Sequence, residues 1–158
     1  MPVSDNVADV VVSNCVLNLV PDKKKVISEI FRTLKSGGHF SISDIVLVGN
    51  LPEALQQDAE MYAGCVSGAI QKDEYLGYIR ETGFDNITLQ KEKPIVIPDD
   101  ILKRYLNESE LEDFKNGETG IFSISVFAQK PGGKKVKPRV KLADLQSDAN
   151  CAPGSGCC

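Results

Sequence analysis

The chain of 158 residues holds no apolar run near the roughly 20 residues that a membrane-spanning helix requires. Nor does a leader-like apolar stretch follow Met1. A transmembrane or secreted protein is disfavoured by both absences, and a cytoplasmic one is expected. A basic stripe is missing too. The net charge is −4, and residues 131–158 hold five Lys/Arg against two Asp/Glu, which leaves the preceding body at −7. An acidic body argues against nucleic acid or a membrane surface as partner. Histidine is scarce: His39, the single one, falls near the start of an expected strand, away from where a site would form. The five cysteines make an odd number, and without an export signal they read as reduced thiols rather than a disulfide framework.

What is present describes one domain of ordinary size, 42% hydrophobic and 25% charged. Ala8 to Ser13 is a β-branched run without polar alternation, the pattern of a strand buried on both faces. A helix follows Pro21-Asp22, with Val26, Ile27, Ile30, Phe31 and Leu34 as its apolar stripe and Ser36-Gly37-Gly38 as its stop. In that helix the run Lys23-Lys24-Lys25 reads as a solvated face. Phe40 to Leu47 reads as a second strand, and Asn50-Leu51-Pro52-Glu53 opens a helix toward Met61-Tyr62. Asp73 to Thr82 is a helix closed by Gly83, and Phe84 to Glu92 a third strand. Pro98 to Phe114 is helical in two pieces, with Ser109-x-x-Glu112 as a capping box, and Ile121 to Gln129 is the last strand. Strands alternating with helices imply an α/β sheet, parallel at least at its start. From residue 131 the composition turns to Lys, Pro, Gly and small polar residues, the pattern of a flexible tail. No internal repeat interrupts this order.

An α/β protein that binds a nucleotide usually carries a glycine-rich turn after its first strand. Here that position reads Ser13-Asn14-Cys15-Val16-Leu17-Asn18-Leu19, without glycine.

The segment Asp5-Asn6-x-x-Asp9-Val10-Val11-Val12-Ser13-Asn14, followed by a helix and Leu34-Lys35-Ser36-Gly37-Gly38, resembles the second half of class I S-adenosylmethionine-dependent methyltransferases. Three features narrow the resemblance to the arsenite methyltransferases. They are Cys15 at the end of the first strand, Tyr62-Ala63-Gly64-Cys65-Val66-Ser67-Gly68-Ala69, and the ending Cys151-Ala152-Pro153-Gly154-Ser155-Gly156-Cys157-Cys158. The stretch Pro98-Asp99-Asp100-Ile101-Leu102-Lys103-Arg104-Tyr105-Leu106 is also similar to that family. The resemblance implies an incomplete Rossmann-like sheet of about four strands with helices on both faces. Residues 1–130 would form the C-terminal part of a methyltransferase domain, and residues 131–158 a flexible, cysteine-containing tail. The family's glycine-rich cofactor loop, the acidic residue that binds the ribose and a further cysteine in its N-terminal half have no counterpart in this sequence.

By the same resemblance Cys15 and Cys65 are the ligands of trivalent arsenic and the catalytic residues. Ser13 and Asn14 contact S-adenosylmethionine, and Cys157 and Cys158 are further candidate arsenic ligands. The partners implied are trivalent arsenicals and a thiol reductant. On residue type alone the alternatives stay open. Free cysteine is often a small buried hydrophobe, Asn14 is equally a turn residue, and Asp44 is either a pocket carboxylate or a buried polar group. Tyr62, Tyr75 and Tyr78 read as packing residues. Two other functions fit the same residues: a thiol-based protein that sequesters arsenite or a soft metal, and a fragment of a generic small-molecule methyltransferase. The strand Ala8–Ser13 would pair on one side only, exposing an apolar edge open to self-association by strand addition.

Overall fold

In the computed structural model, β1 (Ala8–Asn14) lies parallel beside β2 (Leu34–Val48), and α1 (Lys23–Thr33) carries the chain between them. The structure describes residues 2–55, 57, 66, 68–116 and 119–132. After β2 come α2 (Lys72–Thr82), β3 (Asp85–Pro94), α3 (Asp99–Tyr105), α4 (Glu108–Asn116) and β4 (Gly120–Gln129). The sheet order is β1-β2-β4-β3. β4 inserts antiparallel to both neighbours, with Asp44 opposite Ile124 and Leu89 opposite Val126. The sheet is therefore mixed, and parallel at its start as expected.

Period-two alternation in β2 divides the core in two. Phe40, Ile42 and Val46 point to one face, where Ile27 and Ile30 of α1 and Tyr75 and Ile79 of α2 cover them. Ile45 and Leu47 point to the other, where Leu51, Leu55, Val66 and Ile101 and Leu102 of α3 close over the carboxyl end of β2. Burying each such side chain stabilises the fold by about 1.5–3 kcal/mol. Helices thus lie on both faces, as the resemblance implied.

Local signals explain the helix ends. Asp22 accepts from the Lys25 N–H at 2.9 Å and caps α1. The helix stops at Thr33, earlier than expected, because Leu34 is already extended and fully buried. Ser36-Gly37-Gly38 therefore lies inside the start of β2, with Gly37 at φ +80°. The lysine run is not wholly solvated. Lys23 is 8% exposed and sits near the Val20 carbonyl, while Lys24 pairs with Glu81 at 2.7 Å. The capping box of α4 is shifted by two residues. Asn107 Oδ1 accepts from the Glu110 N–H at 3.0 Å, and Glu110 Oε2 accepts from the Asn107 N–H at 2.9 Å.

β1 departs from the expectation of a strand buried on both faces. Val11 packs on the α1 side, but Val10 is 48% and Val12 74% exposed. Among the described residues nothing lies over that side of β1, and β1 pairs with β2 alone. Residues 133–158, assigned to a tail, lie outside the described residues, as do Tyr62, Cys65, Cys151, Cys157 and Cys158.

Candidate functional site

β1 ends at Asn14, and the chain turns sharply at Cys15, which takes φ +56°. A non-glycine residue in this left-handed region costs on the order of 1–3 kcal/mol and persists only where its surroundings hold it. Two bonds to β2 do so. The Cys15 N–H donates to the Ser43 carbonyl at 2.8 Å, and the Asn18 amide donates to the Ile45 carbonyl at 2.8 Å. Between them a 3-10 turn at Leu17–Leu19 places Leu17 in the core.

The turn opens onto a cavity of about 300 Å³ at the carboxyl ends of β1 and β2, lined by Asn14, Cys15, Ser43, Asp44, Ile45, Ile95 and Ser123. This is the sheet edge where ligands gather in open α/β folds. The Cys15 thiol is half-buried and packs against the cluster that contains Ile45, Leu51, Val66 and Ile97. Ser43 and Ser125 hydroxyls meet at 2.7 Å on the same face. The wall is part polar and part aliphatic, with a thiol at its rim.

Asp44 touches the cavity, yet its carboxylate turns to the opposite face, where the Tyr75 hydroxyl donates to Oδ2 at 3.1 Å. The residue is 2% exposed, and Oδ1 has no hydrogen-bond partner. Burial pushes the carboxyl up to about 6, opposed by the Tyr75 hydrogen bond and the charge of Lys23. Burial, and then the nearby Asp44 carboxylate, push the Tyr75 hydroxyl well above the usual phenol range. Tyr75 is a packing residue, as its spacing suggested.

Gly68 is pressed against the turn that follows Cys15. A Cβ added at Gly68 would fall 1.8 Å from the Asn18 carbonyl oxygen, so only glycine admits this approach. Val66 is fully buried in the cluster that Cys15 joins, and the Ile70 carbonyl accepts from the Leu47 N–H at 2.9 Å.

Of the residues singled out from the sequence, the structure brings Asn14 and Cys15 to one cavity. Ser13 pairs with Ile42 and is not among its lining residues. His39 lies toward the other end of β2, its ring 5.1 Å from that of Phe127. Among the described residues no group of three His, Cys, Asp or Glu side chains is arranged to hold a metal ion. No helix there is long and apolar enough to cross a membrane. The residues that sequence reading missed are Asn18, Ile95, Ser123 and Gly68. For Gly68 a signal existed, since a glycine beside a motif often marks close backbone approach.

The sheet is that of a Rossmann-like methyltransferase fold, with the candidate cavity at the carboxyl ends of its parallel strands. Residues 1–83 match the family model described as a methyltransferase domain, and the chain belongs to that family. Within it, the chain is similar to several arsenite methyltransferases. It is 38% identical over 89 residues to the arsenite methyltransferase of Halobacterium salinarum, a match covering 56% of this chain and 23% of that protein. It is 37% identical over 109 residues to that of Aquipseudomonas alcaligenes, covering 69% of this chain and 32% of that protein. In structure it superposes on an arsenic(III) S-adenosylmethionine methyltransferase from Chlamydomonas reinhardtii with a TM-score of 0.63 and 30% identity, covering 85% of this chain and 41% of that one. The chain thus spans less than a third of the length of these two curated relatives.

The family's methyl donor, S-adenosylmethionine, fits these residues only in part. Asn14 offers a polar edge at the strand end, but the backbone after β1 bends at Cys15 and packs on β2 instead of opening as a glycine nest. The cavity wall supplies no acidic side chain for a ribose, because Asp44 is committed to Tyr75. Among the described residues the cavity does not form a complete donor site.

Proposed function

We propose that this chain is the arsenic-binding part of an arsenite methyltransferase, with Cys15 and Cys65 as its two thiolate ligands. The observation that supports this most is the packing of Gly68 on Asn18 and of Val66 in the Cys15 cluster. Together they anchor Val66 and Gly68, one and three positions after Cys65, beside the Cys15 turn. Soft thiolates select a soft centre such as As(III) over hard cations. In binding, each thiol sulfur forms a bond to arsenic and each thiol proton leaves with a displaced hydroxide as water. Arsenic then keeps its lone pair, held by two sulfurs in a half-enclosed cavity. The chain's residues bind, orient and exclude water, and acid–base chemistry has no evident part. S-adenosylmethionine, when bound in the family, supplies the sulfonium methyl that such a lone pair accepts. The setting is reducing and cytoplasmic, with a small thiol as reductant. Asn14 would contribute one edge of the donor contact, with Ser13 holding it from within β1, and Cys157 and Cys158 would hold arsenic on its way to the site.

Separate titrations of the reduced chain with arsenite and with S-adenosylmethionine test this. Stoichiometric arsenite binding that collapses in Cys15→Ser and in Cys65→Ser is expected, with weak or absent cofactor binding. Cofactor binding without arsenite binding would refute the reading and leave a generic methyltransferase fragment.

A further inference from the structure

Ser43, Asp44 and Ile45, consecutive near the carboxyl end of β2, each hold a different piece of the site's surroundings. The Ser43 carbonyl accepts from the Cys15 N–H and the Ile45 carbonyl from the Asn18 amide, both at 2.8 Å. Between them, Asp44 sends its carboxylate to the helix face, where it accepts from the Tyr75 hydroxyl at 3.1 Å. Tyr75 belongs to the first turn of α2, and its N–H donates to the Gln71 carbonyl at 2.9 Å. Residues 68–71, which lead into α2, run beside the same strand. The Leu47 N–H donates to the Ile70 carbonyl at 2.9 Å, Leu47 bridges Gln71 in parallel, and the Gln71 amide donates to the Gly49 carbonyl at 2.9 Å.

Backbone pairing sets the register of residues 68–71 along β2, but it does not set how α2 lies over the sheet. The bond between Tyr75 and Asp44 does. It crosses the core between side chains that are 1% and 2% exposed, so water does not compete for it. The carboxylate is a costly anchor. Its Oδ1 has no hydrogen-bond partner, and an aliphatic side chain would fill the place without burying a charge. What the pair adds to packing is direction, since a phenyl ring fills the same space with no atom that fixes it to β2. We infer that the Tyr75–Asp44 hydrogen bond is a positioning device for the thiol pair. It locks α2, and with it the chain leading on from Cys65, at the spacing from the Cys15 turn that lets one arsenic atom bridge both sulfurs. The inference rests on the reading of Cys15 and Cys65 as joint ligands and adds the residues that set their separation. Hydroxyl and carboxylate act from the opposite face of the sheet, through the backbones of β2 and α2, and neither bonds arsenic. A centre held by two groups gains from the effective concentration of the second, and that gain is lost when geometry forbids both to engage.

Calorimetric titration with two arsenicals separates spacing from mere access to a thiol. The parent is the full-length chain, reduced with a phosphine, with Cys151, Cys157 and Cys158 replaced by serine. Arsenite has exchangeable hydroxides for both thiols. Dimethylarsinous acid has one, which leaves with the thiol proton as water when the single As–S bond forms, so it binds a thiol whatever the spacing. Tyr75→Phe should weaken arsenite binding by about tenfold or more and leave that of dimethylarsinous acid unchanged. Asp44→Asn keeps an oxygen for the hydroxyl and should retain the parent's affinity for both. Ile79→Val trims the buried core on the same helix and should also retain both, which separates positioning from lost stability. Parent-like arsenite binding in Tyr75→Phe, an equal loss of both arsenicals there, or the same selective loss in Ile79→Val would overturn the inference alone. A parent chain that binds arsenite no more tightly than dimethylarsinous acid would overturn the paired-thiolate reading and the inference with it.

Discussion

The Asn18 side-chain amide binds the Ile45 carbonyl at 2.8 Å, two residues beyond the Ser43 carbonyl that receives the Cys15 N–H. Two bonds two residues apart on β2 thus fix the turn that presents Cys15, and the second comes from a buried polar side chain. Asn18→Ala removes that donor and strands a buried carbonyl. The expected cost is about 1–3 kcal/mol in urea denaturation, with weaker arsenite binding as the turn loosens. Unchanged stability and unchanged binding would remove Asn18 from the site.

Gly68 and Gly77 give opposite expectations for the same substitution. At Gly68 an added Cβ meets the Asn18 backbone oxygen at 1.8 Å, whereas at Gly77 nothing lies within 4 Å. Gly68→Ala should force the chain apart there, with a destabilisation of about 2 kcal/mol or more. Gly77→Ala, inside α2, should stabilise by about 0.5–1 kcal/mol through helix propensity. Thermal denaturation of the pair checks both, and equal shifts would contradict the packing described.

Asp44 makes stability depend on pH. Its carboxyl is raised by burial from 3.8 to about 6 in the folded chain. Between those values the folded state holds more protons than the unfolded one, so stability falls as pH rises from about 4 to about 6. Above pH 6 the buried carboxylate is charged in both states, and its burial cost is fully felt. Asp44→Asn keeps an acceptor for the Tyr75 hydroxyl without the charge. It should flatten that dependence and stabilise the chain at pH 7.5 by an amount on the order of 1–3 kcal/mol. Parallel pH–stability curves for the two chains would rule this out.

The reciprocal cap between Asn107 and Glu110 is a local feature and should act locally. Asn107→Ala should cost about 1 kcal/mol and raise amide exchange in the first turn of α4, while leaving the Cys15 cavity unchanged. A loss of arsenite binding in this variant would show that α4 supports the site.

Much of this architecture was legible where a local pattern decides it. The apolar stripe of α1 and its Asp22 cap are consequences of 3.6-residue spacing and an N-cap side chain, and both appear as read. The α4 cap was misplaced because Asn107-x-x-Glu110 and Ser109-x-x-Glu112 overlap in one sequence, and only the helix start selects between them. The insertion of β4 between β2 and β3 is a tertiary choice that no alternation records. Val10 and Val12 were read as buried because unbroken valine implies cover on both sides, and the described fold supplies cover on one. Cys15 was visible as a candidate from its motif and its place at a strand end. Its left-handed backbone and its anchoring by Asn18 and Gly68 were not, since they depend on residues brought together only by folding.

Cys15 and Cys65 are proposed to hold one arsenic atom together. Arsenic X-ray absorption tests it directly, on the reduced chain with Cys151, Cys157 and Cys158 replaced by serine and loaded with one equivalent of arsenite. A first shell containing two sulfurs and one oxygen is expected, falling to a single sulfur or to loss of bound arsenic in Cys15→Ser. An oxygen-only shell, or a two-sulfur shell that survives Cys15→Ser, would contradict it.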